Sequence, residues 1–244
     1  MDEKIKKLKN IIEESRRICV FTGAGISCPS GIPDFRSANG IYKAKSKFGF
    51  PPEQMLSATF FKEHTETFFE FYRSAMLFPN AKPNKAHLFF AKLEKESKKV
   101  SVVTQNIDAL HQAAGSNDVI ELHGSVMRNF CQRCKKSFPL EYIINSKGIP
   151  HCECSGIIKP DVVLYEEPLS EESIIRAVNA IENADLMFVV GTSLSVYPAA
   201  SYIRYFNGEN LVLINKGETR YDSLATLAFN DDVINVINEL ESEK

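Results

Sequence analysis

No stretch of this chain stays apolar for long enough to span a bilayer, and its first residues, Met1-Asp2-Glu3-Lys4-Ile5-Lys6-Lys7-Leu8-Lys9, lack the continuous apolar core of a secretory leader. A cytoplasmic protein is expected. Neither sign of charge is in excess: Lys+Arg 29 against Asp+Glu 31 gives a formal net charge of -2, so the global field attracts neither nucleic acid nor an anionic membrane. Internal repeats and low-complexity tracts are absent too, which removes solenoids. Cysteine is scarce and unevenly spread. Four of the six lie between positions 131 and 154, an arrangement that suits a metal site in a reducing compartment better than a disulfide framework. What remains is 244 residues, 44% of them hydrophobic, enough to bury one substantial core in one large domain with a small insertion.

The chain is organised around residues 22–36, TGAGISCPSGIPDFR, which directly follow the apolar run Ile18-Cys19-Val20-Phe21. A strand that ends in Gly23-Ala24-Gly25 hands over to a turn whose backbone can approach a pyrophosphate, because glycine has no Cβ in the way. Gly-x-Gly alone marks a tight turn equally well, and the dinucleotide fingerprint has its third glycine where this chain has Cys28. The continuation Gly31-Ile32-Pro33-Asp34-Phe35-Arg36 favours a nucleotide. It sets a rigid turn, a carboxylate, an aromatic face and a guanidinium suited to phosphate oxygens beside the loop.

Along the rest of the chain, apolar spacing and end signals predict the elements. A first helix over 2–15 turns Ile5, Leu8, Ile11 and Ile12 inward and its lysines outward. From 37 to 80 the sheet pattern is lost, and Asn39-Gly40 and Phe50-Pro51-Pro52 signal loops; this excursion is expected to cover the nucleotide. Within it, 60–78 reads as one helix with Phe61, Phe68 and Tyr72 near a packing face. Pro83-Asn84 starts a helix to about Ser97, and strands follow at 100–104 and 119–122. After a cysteine-bearing insertion at 125–157 the core resumes with a strand at 162–165, a helix at 170–182, a strand at 186–190, a helix from Pro198, a strand at 211–214 and a final helix capped by Asp231-Asp232. Strands alternating with helices give an α/β fold with a doubly wound, mostly parallel, Rossmann-like sheet, whose ligands sit at the carboxyl ends of the strands.

The candidate chemistry gathers at those ends. Gln105-Asn106-Ile107-Asp108 follows a buried strand with polar side chains that can bond ribose hydroxyls and a carboxamide; Asn106 or Asp108 would equally serve as a helix cap. His123 emerges after Val119-Ile120-Glu121-Leu122, either as a satisfied structural group or as a base that titrates near neutrality beside a ribose hydroxyl. Cys131-x-x-Cys134 and Cys152-x-Cys154 supply four thiolates for a closed tetrahedral zinc site, with His151 as an alternative ligand to Cys152. Such a site leaves no position for water, so the metal's role is structural. Cys19 reads as an inert core thiol and Cys28 as lining the nucleotide.

GAGIS, GIPDFR, QNID, the His-Gly pair at 123–124, the cysteine pairs, Gly191-Thr192-Ser193 and Asn215 together resemble the sirtuins of bacterial type, the NAD-dependent protein deacylases, across nearly the whole chain. The resemblance implies a single catalytic unit over 1–244. Segments 1–36, 81–124 and 158–244 would form the NAD-binding core, 37–80 the cofactor loop and helical module, and 125–157 the zinc module. It implies NAD as a co-substrate and zinc as a structural ion. The partners would be acetyl-lysine proteins or peptides, with no membrane or direct nucleic-acid partner.

On the same basis the acyl oxygen attacks the ribose carbon bearing nicotinamide, His123 activates a ribose hydroxyl, and lysine, nicotinamide and O-acetyl-ADP-ribose are released. Mono-ADP-ribosyl transfer in the same cleft is the alternative activity. A catalytically silent NAD-sensing scaffold and a hydride-transferring dehydrogenase are the rivals outside it. Gly23, Ala24, Gly25, Cys28, Asp34, Phe35 and Arg36 would surround the diphosphate and ribose. Gln105 and Asn106 would hold ribose and water, and Ile107 and Asp108 the nicotinamide. Gly191, Thr192, Ser193, Asn215 and Lys216 would face the adenosine half, with Asp232 and Val233 at adenine. Val163, Leu164 and Tyr165, facing Val196, resemble the two edges that hold a substrate peptide as an added strand, with Glu166 where many relatives have glycine. Relatives that prefer succinyl or malonyl groups carry Tyr and, three residues later, Arg; here these are Tyr72 and Ala75, which predicts acetyl over succinyl.

Overall fold

The computed structural model describes residues 2–34, 48–96 and 98–242. Phe35, Arg36 and the rest of 35–47 lie outside the described residues.

Six strands form one sheet: β1 (Arg17–Thr22), β2 (Lys99–Thr104), β3 (Val119–Glu121), β7 (Leu186–Val190), β8 (Asn210–Ile214) and β9 (Leu227–Phe229). Their order is β3-β2-β1-β7-β8-β9 and every pairing is parallel. The apolar runs are continuous because both faces are covered. Side chains alternate with the two-residue period of a strand. Ile18, Val20, Phe188 and Val190 pack on one face against helices Asp2–Glu14, Lys85–Lys95 and Val233–Glu241, while Cys19, Phe21, Met187 and Val189 pack on the other with Ala177 and Ile181 of helix Glu171–Glu182. Caps fall where the sequence places them: Asn84, Ser170 and Asp232 each accept a backbone N–H at the start of a helix. Chain order reverses between β1 and β7, so the ligand crevice of such a sheet opens above that pair.

A second sheet is antiparallel, with order β5-β4-β6, from β4 (Gly124–Cys131), β5 (Ser137–Pro139) and β6 (Ile158–Val162). Here two expectations are corrected. The chain does not rejoin the large sheet after residue 157, because Ile158–Val162 pairs with β4; the cysteine module therefore reaches five residues further. The single helix expected over 60–78 is two, Ala58–Glu63 and Thr65–Ala75, broken at His64, whose backbone leaves the helical region (φ -129, ψ 45). The break lets Phe61 meet Phe68 and Phe69 edge to face at 4.9 and 5.9 Å between ring centroids.

These rings, with Phe60, Phe71 and Tyr72, share one apolar cluster with Val126, Phe138, Ile143 and Ile158 of the cysteine module. The excursion and the insertion thus bury each other. The segment after Pro198 winds as a 3-10 helix, Ala199–Tyr205, and short helices at Pro52–Met55 and Leu110–Ala114 lie outside the expected elements. No helix among the described residues is long and apolar enough to cross a membrane.

Candidate active site

The loops after β1 and β7 are docked against each other at the crevice. Gly25 N–H donates to Gly191 O at 2.8 Å, and a Cβ on Gly25 would fall 2.7 Å from Gly191 Cα, closer than such atoms approach. The bare backbone the sequence pattern demands is therefore used first for loop against loop. Above this contact the polar side chains converge. Asn106 Nδ2 donates to Gly23 O (3.1 Å) and Ser27 Oγ (3.0 Å), and Ser27 Oγ donates to Asp108 Oδ2 (2.6 Å). Asp108 Oδ1 takes the N–H of Leu110 at 2.9 Å, so the capping role and a place in the polar cluster coexist in one carboxylate. Burial raises the Asp108 carboxyl above its ordinary value, against the pull of the Ser27 and Leu110 hydrogen bonds. Gln105 Nε2 reaches across to Thr192 Oγ1 at 3.2 Å and ties the two halves of the crevice. Ser27 was not singled out in the sequence; its signal is a hydroxyl within the same glycine loop.

His123 follows β3 where Leu122 N–H still bonds Thr104 O, so the strand pairing carries it to the sheet's carboxyl end. Its Nδ1 lies 2.8 Å from Gln105 O. A carbonyl only accepts, so Nδ1 holds the proton and Nε2 keeps its lone pair. Burial lowers the His123 pKa from the ordinary 6.5, partly offset by that hydrogen bond, which keeps the ring neutral and basic at neutral pH. Gly124 takes φ +74 with Asp161 O where its Cβ would be, so β4 turns away immediately after the histidine. Arg128 then bridges Glu121 (2.7 Å) and Asp161 (2.8 Å), joining the end of β3 to the small sheet.

On the far side of the loop, Cys28, Pro29, Lys216, Asp232, Ile234 and Asn235 line a cavity of about 380 Å³. Lys216 pairs with Asp232 at 3.0 Å, and the same carboxylate caps the last helix through Ile234 N–H. Burial, then Asp34, pushes the Cys28 thiol up, so it lines the cavity in its neutral form. Asn215 bonds Gly217 O at 2.8 Å, Ser193 shares a 2.6 Å contact with Ser195, and Val233 is buried in the core.

Val163–Tyr165 is already bonded within the chain. Its N–H groups go to His123 O, Glu167 Oε2 and Leu56 O, and Tyr165 O accepts from Ala58. Leu164 is buried, Tyr165 exposed, and Val196 half-buried. Glu166 has φ +75, a conformation glycine adopts without cost, and its carboxylate accepts Thr59 N–H (2.9 Å) at the N-terminus of helix Ala58–Glu63. That bond lowers the Glu166 pKa.

The four sulfur atoms of Cys131, Cys134, Cys152 and Cys154 lie within 4.8 Å of one another, with Cys131 to Cys154 at 3.4 Å and Cys134 to Cys152 at 3.6 Å. Thiolates about 2.3 Å from zinc in a tetrahedron are separated by about 3.8 Å, so this set fits the ion. Backbone N–H groups, Cys134's first, hold the Cys131 thiol down at about 6, already favouring the thiolate. His151 is exposed and donates Nδ1–H to Ile149 O at 2.8 Å; Cys152, not His151, belongs to the cluster.

A parallel nucleotide-type sheet, polar groups crowded at its switch point and a closed four-thiol module beside them define a nucleotide-using α/β enzyme with a structural metal. The comparisons with known proteins narrow this further. The Sir2 family profile matches residues 23–198, and the chain belongs to that family. It is 57% identical over 237 residues to an NAD-dependent protein deacetylase of Clostridium acetobutylicum, covering 96% of this chain and 97% of the relative. A solved structure of Sir2 with p53 peptide and NAD+ superposes with a TM-score of 0.85 at 40% identity, covering 97% of this chain and 96% of that one. Another, of a Sir2 variant with deacetylated p53 peptide and 3'-O-acetyl ADP ribose, gives 0.87 at 41% identity, again covering 97% and 96%.

Proposed function

We propose that this chain is an NAD-dependent protein lysine deacetylase that consumes NAD and releases lysine, nicotinamide and O-acetyl-ADP-ribose. The observation that carries it is the state of His123: Nδ1–H is committed to Gln105 O, so Nε2 is left to accept a proton at the mouth of the crevice. Asn106, Ser27 and Asp108 stand beside it as donors and acceptors for ribose and carboxamide. The cavity at Cys28, Lys216 and Asp232 suits the adenosine end. Cys131, Cys134, Cys152 and Cys154 hold zinc, which braces the small sheet and takes no part in acyl transfer. The peptide lies between the 163–165 segment and Val196. Bacterial relatives of nearly full coverage support action in the cytoplasm.

Acetyl is the preferred acyl group. Arg73 donates to Ile143 O, Ser146 Oγ and Gly148 O, and it lies over the Phe69 ring, so its charge is used to hold the cysteine module. Ala75 supplies no cation. A buried acyl carboxylate would therefore be desolvated without a partner.

The test is mass spectrometry of the products from NAD and one peptide carrying acetyl- or succinyl-lysine, with an acceptor protein present. Nicotinamide, acetyl-ADP-ribose and faster acetyl removal are expected. Turnover without NAD, or ADP-ribose on the acceptor as the main product, overturns the reading; faster succinyl removal overturns the acyl preference alone.

A further inference from the structure

Two imidazoles lie buried beneath the crevice, outside every role given above. His87 and His111 are 0% and 1% exposed, and their rings meet edge to face at 4.8 Å between centroids. Their protons can be assigned from their neighbours. Asn84 N–H donates to His87 Nδ1 at 3.3 Å, so the His87 proton is on Nε2. Thr22 Oγ1 donates its single proton to Thr104 Oγ1 at 2.8 Å; His111 Nε2, 3.1 Å from Thr22 Oγ1, must therefore be the donor there. This leaves one buried N–H, on His87 Nε2, and one buried lone pair, on His111 Nδ1, each without a partner. The two rings meet edge to face, and no hydrogen bond joins these two atoms.

His111 closes a circuit of hydrogen bonds. From Thr22 it passes to Thr104 Oγ1, which also accepts Asn106 N–H at 3.0 Å, then through the Asn106 side chain to Gly23 O and Ser27 Oγ, on to Asp108, and back through Leu110 N–H into the short helix that carries His111. His87 attaches a second arm. Its partner Asn84 donates to Ile26 O (2.7 Å) and Ser30 Oγ (2.9 Å), on the far half of the glycine loop. Burial keeps both rings neutral, lowering His87 to about 4 and, with His87 adding to burial, His111 to about 3. A charged ring would have two donors and break the assignment.

We infer that His111, backed by His87, is a positioning residue for NAD: its Nε2–H to Thr22 sets the orientation of Asn106, Ser27 and Asp108 without touching the nucleotide. This rests on the reading that NAD occupies the crevice above them. His111→Phe keeps an aromatic ring and removes the donor, whereas His111→Gln returns an N–H near the position of Nε2. KM for NAD and the dissociation constant measured by calorimetry with NAD alone should both rise about tenfold in the Phe variant, with kcat changed less than about threefold, and the Gln variant should recover most of the affinity at a similar melting temperature. Equal losses in the two variants, tracking their stability, would overturn the assignment, as would normal affinity in the Phe variant. Nitrogen-15 shifts of the wild-type imidazoles give a second measurement that needs no variant: both rings are expected as Nε2–H tautomers, and an Nδ1–H tautomer at His111 would sink the proposal. Failure of the wild-type protein to bind NAD would instead reject the functional reading beneath it.

Discussion

The large sheet and the small region beside it are held together by different means. In the sheet, strands buried on both faces, such as Leu186–Val190, pack apolar side chains against helices on each side, and the polar groups of the crevice are placed by strand ends. The small region has three short antiparallel strands and short helices, and its cysteine module shares one apolar cluster with the phenylalanine rings packed beside it. Four thiols and the Arg73 clamp add to that apolar cluster polar and metal-binding cross-links between short elements. The parallel sheet carries the polar groups of the crevice, and a cross-linked module packs beside it.

Removing the metal should separate the two regions most sharply. Structural zinc contributes on the order of 10 kcal/mol to folding in small metal modules, so Cys134→Ala or a strong chelator should unfold β4 to β6 and abolish turnover indirectly. Hydrogen exchange should show lost protection there while β1, β2 and β7 keep theirs. Native protein without zinc, or a chelated enzyme that remains active, would count against the site.

His123→Ala tests the other side of the contrast, because it should remove chemistry and leave both regions folded. A fall of about 10²–10⁴ in kcat/KM is expected, with NAD affinity and melting temperature nearly unchanged. Near-normal turnover would take His123 out of the mechanism.

Acid should weaken the sheet region through its buried imidazoles. The folded-state values of His87 and His111, about 4 and about 3, lie below the ordinary 6.5, so the unfolded chain binds protons first as pH falls. Their stabilisation is present above 6.5 and is lost through the window down to those folded values. From pH 7 to pH 5 the pair should cost about 4 kcal/mol, read as a shift in urea midpoint. A flat profile across that interval would show that both rings keep the ordinary 6.5 in the fold, and stability rising toward pH 5 that they are charged there.

The smallest expected effect is at Arg73. Arg73→Ala removes the Arg73 donor from part-buried Gly148 O, while Ile143 O keeps the Ser146 hydroxyl, so a loss of about 1 kcal/mol is expected, appearing in helices Thr65–Ala75 and Leu140–Asn145 but not in the sheet. Uniform destabilisation would mean the two regions unfold as one.

The strands β1, β2, β7 and β8 were legible to within a residue or two because a buried parallel strand is a local apolar run, and Asn84, Ser170 and Asp232 were legible because a cap acts within three residues. The break at His64 was not: no glycine or proline marks it, and the bend answers to the rings of Phe61, Phe68 and Phe69 packing on one another. The strand expected at 162–165 was misplaced: only Val162 lies in a strand, and that strand pairs with β4, because a short apolar run does not say which sheet it joins. The left-handed Glu166 carries no local sign either; its compensation is the N–H of Thr59, 107 positions away.

Within the site, QNID and His123 were singled out for function by the family resemblance, whereas the glycine loop and the cysteine pairs could be named as candidates from residue type and short spacing, since turn formation and thiolate spacing are properties of neighbouring residues. Their mutual arrangement could not. Ser27 meets Asp108 across 81 positions and Thr22 meets His111 across 89, and Gly25 rests on Gly191 only because β1 and β7 are adjacent. Which strands lie side by side is settled by burying two apolar faces at once, a long-range condition that no window of the chain contains. Proton positions on His87, His111 and His123 follow from that adjacency, because a neutral imidazole takes its tautomer from whatever donor or acceptor the packed fold brings within about 3 Å.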